Sequence, residues 1–178
     1  MKLLRGICLG SKGAGKTSIL AQMQHRHLGR IHPTVGIDFA MFVHKDVRFQ
    51  CWDASGDSKY RNVAKIFAKD CVVMFYVFDI TSQDSLDEAI EWRKTIETEA
   101  QMHFLIGNKA DKLERAPGIP TILAQYPDMM YYETSTQRRT TLEQMFDSIL
   151  LATAHLTRVE TLSVDATRTQ SRECCTLC

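Results

Sequence analysis

The stretch GSKGAGKTS, at residues 10–18, lies between an apolar, strand-like segment and a helical pattern. It fits G-x-x-x-x-G-K-[ST], in which backbone N–H groups surround a phosphate and the next helix points its positive end inward. The ammonium of Lys16 would reach the outer phosphates, and the hydroxyl of Thr17 suits Mg²⁺. The alternative is a glycine-rich connection whose lysine is merely solvated. We expect phosphate contacts from one continuous set of residues: Gly10, Ser11, Lys12, Gly13, Ala14, Gly15, Lys16, Thr17 and Ser18.

Length and composition indicate one domain followed by a tail. With 178 residues and 44% hydrophobic content, the chain can bury one full core. The 22 basic and 21 acidic residues are mixed and give a net charge of +1, so no basic surface indicates nucleic acid as a partner. The apolar run at the N-terminus is too short for a signal peptide. We expect a domain at residues 1–156 and a flexible, polar tail at residues 157–178.

Alternating strand and helix patterns predict an α/β fold with a parallel sheet, helices on both faces and ligands at the carboxyl ends of the strands. Residues 37–44 start a predicted hairpin, and the apolar run at 71–79 is the expected central strand. Ser82 or Asp84 would cap a helix that continues to about Ala100. Further short elements are a helix at about 121–125, a strand MMYYET and a last helix with a Thr140–Glu143 capping box.

Two motifs at strand ends carry more specific chemistry. In WDASG, the carboxylate of Asp53 is placed to hold Mg²⁺, and the N–H of Gly56 could meet a terminal phosphate. In NKAD, Asp111 can accept from both N1–H and the exocyclic amine of guanine, whereas adenine has no matching donor pair. Lys109 can lie along the base, and Asn108 can join neighbouring loops. The pattern favours GTP over ATP, which makes an ATP-using enzyme the weaker interpretation.

A third motif, ETST at residues 133–136, completes the predicted base site. Ser135 and the backbone N–H of Thr136 could reach the guanine carbonyl; the alternative for Ser135 is a simple turn serine.

In this order and spacing, the motifs resemble those of the Ras-like small GTPases over residues 1–156. The resemblance is strongest to the Rab branch, in VGIDF at 35–39, RFQCWD at 48–53, KYRNV at 59–63 and VFDITSQDSL at 77–86. It implies a P-loop NTPase fold with a six-stranded, mostly parallel sheet, and a monomer that binds GTP or GDP with Mg²⁺.

The same resemblance implies a switch and its partners. The hydroxyl of Thr34 would reach Mg²⁺ and its N–H the γ-phosphate, and hydrolysis of GTP would release the segments around Thr34 and Gly56. An exchange factor, an activating protein and effectors would bind there. Lys16, Thr34 and Gly56 are the expected catalytic contacts, and Asp57 occupies the fourth catalytic position. The expected metal ligands are Thr17, Thr34 and Asp53.

Three departures from the family pattern affect the expected chemistry. Asp57 stands where relatives have the glutamine that orients water, and an ionised carboxylate is repelled by the γ-phosphate and cannot donate, so intrinsic hydrolysis should be slow. Lys12 replaces a small residue and could either crowd an activator's arginine or bring its own charge to the phosphates. Thr136 and Gln137 replace a small residue and a lysine, which could reduce nucleotide affinity.

The cysteines divide into two groups. Cys8, Cys51 and Cys71 lie in apolar runs, which predicts buried, reduced thiols of a cytosolic chain. Cys174 and Cys175 resemble the doubly prenylated ends of Rab proteins, which implies the prenylation machinery as a partner and lipid anchoring to the cytosolic face of an internal membrane. A redox or metal-binding tail is the alternative. The leading hypothesis is thus a GTP-hydrolysing switch in membrane traffic; the alternative is a GTP- or GDP-binding scaffold with negligible turnover.

Overall fold

In the computed structural model, strands and helices alternate along the chain. The structure describes residues 2–26, 29, 32–96, 102–154 and 160–161. The strands are β1 (Lys2–Gly10), β2 (Ile37–His44), β3 (Val47–Ala54), β4 (Val73–Asp79), β5 (Met102–Asn108), β6 (Met129–Glu133) and the two-residue β7 (Glu160–Thr161). The helices are α1 (Lys16–Met23), α2 (Arg61–Ala68), α3 (Gln83–Thr95), α4 (Ile119–Gln125) and α5 (Arg139–Thr153), with a 3₁₀ turn at Ser58–Tyr60.

Six strands form one twisted layer in the order β2-β3-β1-β4-β5-β6. All neighbouring pairs on this path are parallel except the β2–β3 hairpin. The predicted six-stranded, mostly parallel sheet is therefore confirmed. In addition, β7 pairs antiparallel with Lys2 and Leu3 of β1, so two residues of the predicted tail extend the sheet.

The core has two layers because β4 is buried on both sides. Val73, Phe75 and Val77 of β4 pack with apolar residues of α1 and α5. The alternate residues of β4, Met74, Tyr76 and Phe78, pack with α2, α3 and α4 on the opposite face. This arrangement explains the continuous apolar run in the sequence, since a strand covered on both faces needs no polar alternation. It also places helices on both faces, as predicted.

Several helix boundaries differ from the sequence-based expectation. Helix α3 is capped by Ser82, whose Oγ accepts from the N–H of Ser85 at 3.2 Å, but it ends at Thr95 rather than near Ala100 because Ile96 turns to extended geometry and is buried. Helix α4 begins two residues earlier than predicted, with Pro120 in its first turn, where proline costs no helical bond.

The predicted Thr140–Glu143 capping box is wrong. Helix α5 begins at Arg139, so Thr140 already lies inside its first turn, and Glu143 pairs with Arg139 at 2.8 Å instead. The hydroxyl of Thr141 donates to the Arg138 carbonyl at 2.7 Å at this end of the helix.

Cys8, Cys51 and Cys71 are buried free thiols, as predicted. Cys174 and Cys175 lie outside the described residues. In the part of the chain that the structure describes, no helix combines the length and apolar character needed to cross a membrane.

Candidate functional site

Two glycines, at the end of β1 and at the start of α1, lie too close to neighbouring strands to carry a side chain. Gly10 has φ +131°, and a Cβ there would lie 1.9 Å from the Val77 carbonyl oxygen. Gly15 has φ +99°, and a Cβ would lie 2.2 Å from Asn108 Nδ2. These positions require glycine because both the backbone angle and the available space exclude a side chain. The loop is thereby held against the ends of β4 and β5.

Lys16 arches back over this loop. Its Nζ donates to the carbonyls of Gly10 at 2.9 Å and Ser11 at 2.8 Å. Burial lowers the pKa of Lys16, while the nearby carboxylate of Asp53 opposes that shift. The Oγ of Ser11 lies 2.5 Å from Ser85 Oγ. The sequence did not single out Ser85, because no local signal links it to a loop 74 residues away.

The three predicted metal ligands converge although they come from different parts of the chain. Thr17 Oγ1 donates to Asp53 Oδ2 at 2.5 Å, and Thr34 Oγ1 donates to the same oxygen at 3.2 Å. The two hydroxyl oxygens are 3.0 Å apart. Burial raises the pKa of Asp53, and both hydroxyl hydrogen bonds oppose that shift.

Asp53 retains an unused acceptor that fits a hard cation. Its Oδ1 is buried and has no hydrogen-bond partner among the described residues. A buried carboxylate oxygen without a donor is costly, and two hydroxyls beside it complete an oxygen donor set of the kind Mg²⁺ prefers. Thr17, Thr34 and Asp53 therefore fit Mg²⁺.

A cavity of about 370 Å³ opens beside this cluster. Lys12, Gly13, Gly15, Lys16, Thr17 and Ser18 line one side of it, and Thr34, Gly56 and Asp57 line the other. Gly56 approaches the loop so closely that a Cβ would lie 2.3 Å from the Lys12 nitrogen. The cavity thus joins the predicted phosphate loop to both predicted switch segments, whereas the predicted base residues lie outside its lining.

The predicted base residues form a second group at the ends of β5 and β6. Asn108 Nδ2 donates to the Ala14 carbonyl at 2.8 Å and thereby joins this group to the phosphate loop. Ser135 Oγ donates to Asp111 Oδ1 at 2.5 Å. That bond lowers the pKa of Asp111. The arrangement leaves an ionised carboxylate beside the loop that carries Thr136.

Lys109 is held by a residue that the sequence reading missed. Its Nζ lies 2.7 Å from Asp79 Oδ2, and its backbone has φ +67°. Asp79 ends β4 just as Asn108 ends β5, and the two are register partners. A carboxylate at the end of a central strand was a signal that could have been used.

Asp57 is paired with a neighbouring lysine. Its Oδ1 accepts from the Lys59 N–H at 3.1 Å, and its Oδ2 lies 3.0 Å from Lys59 Nζ. These contacts, and more weakly the charge of Lys12, lower the pKa of Asp57. Asp57 is therefore a carboxylate at neutral pH.

The geometry is that of a P-loop domain, with a phosphate loop, an oxygen cluster that fits Mg²⁺ and an adjoining group of polar residues at the ends of β5 and β6. The Ras family model matches residues 5–155. Similar proteins include the Ras-related protein Rab11C of Nicotiana tabacum, which is 28% identical over 93% of this chain and 79% of that protein. The Ras-related protein Rab-7B of Dictyostelium discoideum is 26% identical over 83% of this chain and 81% of that protein. Rab-15 of Homo sapiens is 30% identical over 92% of this chain and 84% of its own.

The chain therefore belongs to the Ras family, in its Rab branch. Proteins of this family are small GTPases that bind GTP and GDP, generally with Mg²⁺.

Proposed function

We propose that the protein is a GTP-dependent switch of membrane traffic that hydrolyses GTP slowly without an activating protein. The observation that carries the proposal is the convergence of Thr17, Thr34 and Asp53 beside a cavity that also contains Lys16 and Gly56. A site so arranged can sense the outermost phosphate, because Thr34 and Gly56 come from two segments that both border the cavity.

Each residue has a distinct task toward GTP. Lys16 balances phosphate charge, and the N–H groups of the loop receive phosphate oxygens. Bound Mg²⁺, held by Thr17, Thr34 and Asp53, supplies further charge neutralisation. Asp111, Ser135 and the N–H of Thr136 recognise the guanine edge, with Lys109 alongside the base and Asn108 joining the two halves of the site.

Hydrolysis is slow because of the state of Asp57. Its carboxylate is ionised and engaged by Lys59, so it can neither donate to a water molecule nor approach a phosphate without repulsion. Lys12 is exposed at the cavity and adds a positive charge on the same side. A Lys12→Ala variant separates its two roles: slower intrinsic hydrolysis indicates charge support, and faster activator-stimulated hydrolysis indicates crowding.

The proposal includes a membrane anchor and partners. Residues 1–156 act as the switch domain, and residues 157–178, of which Glu160 and Thr161 pair with β1, act as a tail lipidated at Cys174 and Cys175 by the prenylation machinery. The protein is a cytoplasmic monomer that anchors to the cytosolic face of an internal membrane. Exchange factor, activating protein and effectors bind around Thr34 and Gly56.

The second candidate is a GTP- or GDP-binding scaffold with negligible turnover. The Asp57–Lys59 pair favours it, because an ionised carboxylate engaged by a lysine cannot donate a hydrogen bond to an attacking water. Both candidates share the nucleotide site and differ only in turnover.

Single-turnover hydrolysis of GTP by the full chain with Mg²⁺ distinguishes them. We expect a slow rate above the protein-free control, and a faster rate for Asp57→Gln because glutamine restores a neutral donor of the right length. Asp46→Gln, in the exposed β2–β3 turn at the opposite end of β3 from Asp53, is the matched control and should leave the rate unchanged. Wild-type turnover no higher than the protein-free control, with no acceleration by an activating protein, would favour the scaffold.

A further inference from the structure

Two hydrogen bonds hold the loop that carries Thr136, one on each side of the Thr136 backbone N–H. The N–H of Ser135 donates to Thr141 Oγ1 at 3.0 Å, and the Thr136 carbonyl accepts from Gln22 Nε2 at 3.0 Å. Between these bonds lies the N–H of Thr136, which donates to no group of the described chain. The peptide that carries this donor is therefore fixed from both ends while the donor itself stays available.

Gln22 belongs to α1, 114 residues away in sequence from Thr136, and is itself held in place. The Gln22 carbonyl accepts from Arg139 Nη1, at the start of α5. Arg139 also binds Glu143 Oε1 at 2.8 Å, and its Nη2 lies 2.9 Å from His25 Nε2. The end of α1 is thus joined to the start of α5, so the Gln22 amide reaches the Thr136 loop from a fixed position.

We infer that Gln22 is a positioning residue for base recognition. It does not touch the nucleotide; it orients the Thr136 peptide so that the free N–H can meet the 6-oxo oxygen of guanine. The inference rests on the guanine-binding function proposed above. Thr136 and Gln137 replace the usual small residue and lysine, which could reduce nucleotide affinity. The hydrogen bond from Gln22 of α1 would offset this loss, because it fixes the position of the loop.

The experiment measures the affinities of the full chain, with Mg²⁺, for three diphosphates in wild type and Gln22→Met. Methionine keeps the length of glutamine but cannot donate. GDP and IDP both carry the 6-oxo oxygen, whereas 6-thio-GDP carries a sulfur, which is a weak acceptor. We expect Gln22→Met to weaken GDP and IDP about five-fold, the range of one neutral hydrogen bond, and to weaken 6-thio-GDP less than two-fold. The preference of wild type for GDP over 6-thio-GDP should shrink accordingly.

Gln24→Met is the matched control. Gln24 lies just beyond the same helix and donates to the Met41 carbonyl at 3.2 Å, away from the base loop. It should leave all three affinities unchanged, and the urea midpoints of both variants should stay close to that of wild type.

Four outcomes overturn the inference. They are an equal loss for all three nucleotides, which indicates a general structural role; no loss for any; the same pattern in Gln24→Met; or a wild type that does not distinguish GDP from 6-thio-GDP. Failure of the proposed function appears differently, as a wild type that binds none of the three nucleotides or that prefers ADP to GDP.

Discussion

Replacing Asn108 by alanine should destabilise the protein, because it removes a buried hydrogen bond between the end of β5 and the phosphate loop. Asn108 is only 1% exposed, and its Nδ2 donates to the Ala14 carbonyl at 2.8 Å. Ala14 is itself 1% exposed, so the carbonyl would lose a partner in a buried place. Leaving such a group unpaired costs about 1–3 kcal/mol, and we expect a loss near 2 kcal/mol in the free energy of unfolding.

The isosteric Asn108→Asp variant separates the hydrogen bond from the volume. At pH 8 aspartate places an ionised acceptor opposite the Ala14 carbonyl, so it should destabilise at least as much as alanine although it fills the same space. If volume were the main contribution, aspartate would be better tolerated than alanine. Asn62→Ala, on the exposed surface of α2, is the control and should stay within about 0.5 kcal/mol of wild type.

The assay is urea unfolding at one fixed concentration of GDP and Mg²⁺. Because a ligand that binds only the folded state adds RT ln(1 + [L]/Kd), the affinity of each variant for GDP is measured separately and this contribution is subtracted. A corrected loss below about 0.5 kcal/mol for Asn108→Ala, or a wild-type stability for Asn108→Asp, would refute the reasoning.

Two further predictions concern the loop and the base site. Gly10→Ala should prevent folding or lower the free energy of unfolding by more than about 3 kcal/mol, because the new Cβ would collide with the Val77 carbonyl. Gly13→Ala should lower it by about 1–2 kcal/mol, because φ is +79° there but no atom lies within 4 Å of the new Cβ. Equal losses for the two variants in urea unfolding would contradict this. Ser135→Ala should raise the pKa of Asp111. Since the depressed pKa keeps the carboxylate ionised until the pH falls through it, the acid limb of GDP binding should move to higher pH, and an unmoved limb would count against the Ser135 contact.

The sequence predicted those parts of the site that lie within local motifs. The phosphate loop follows β1, and Asp53 and Asn108 lie at the carboxyl ends of β3 and β5; parallel strands bring such ends to one edge of the sheet. Contacts between distant segments left no signal: nothing near Gln22 indicates that it meets a loop 114 residues away.

Local patterns also failed where a boundary depends on packing. The segment after Thr95 contains no glycine or proline to mark the end of α3, and the helix ends because Ile96 enters the core in extended geometry. The pairing of Asp57 with Lys59 was also missed, because it depends on the turn at Ser58–Tyr60, which Asp57 caps.

The most direct test of the central claim, a Mg²⁺-dependent guanine nucleotide site, is the affinity of the purified chain for GDP and for ADP, each with Mg²⁺ and with EDTA. We predict that GDP binds at least a thousand-fold more tightly than ADP, because adenine would leave the Asp111 carboxylate without donors. A preference on the order of a thousand-fold or more is typical of sites whose polar groups the wrong ligand leaves unpaired. We also predict that EDTA weakens GDP binding, since Asp53, Thr17 and Thr34 would lose their cation. Equal affinities for GDP and ADP, or a GDP affinity unaffected by EDTA, would contradict the account.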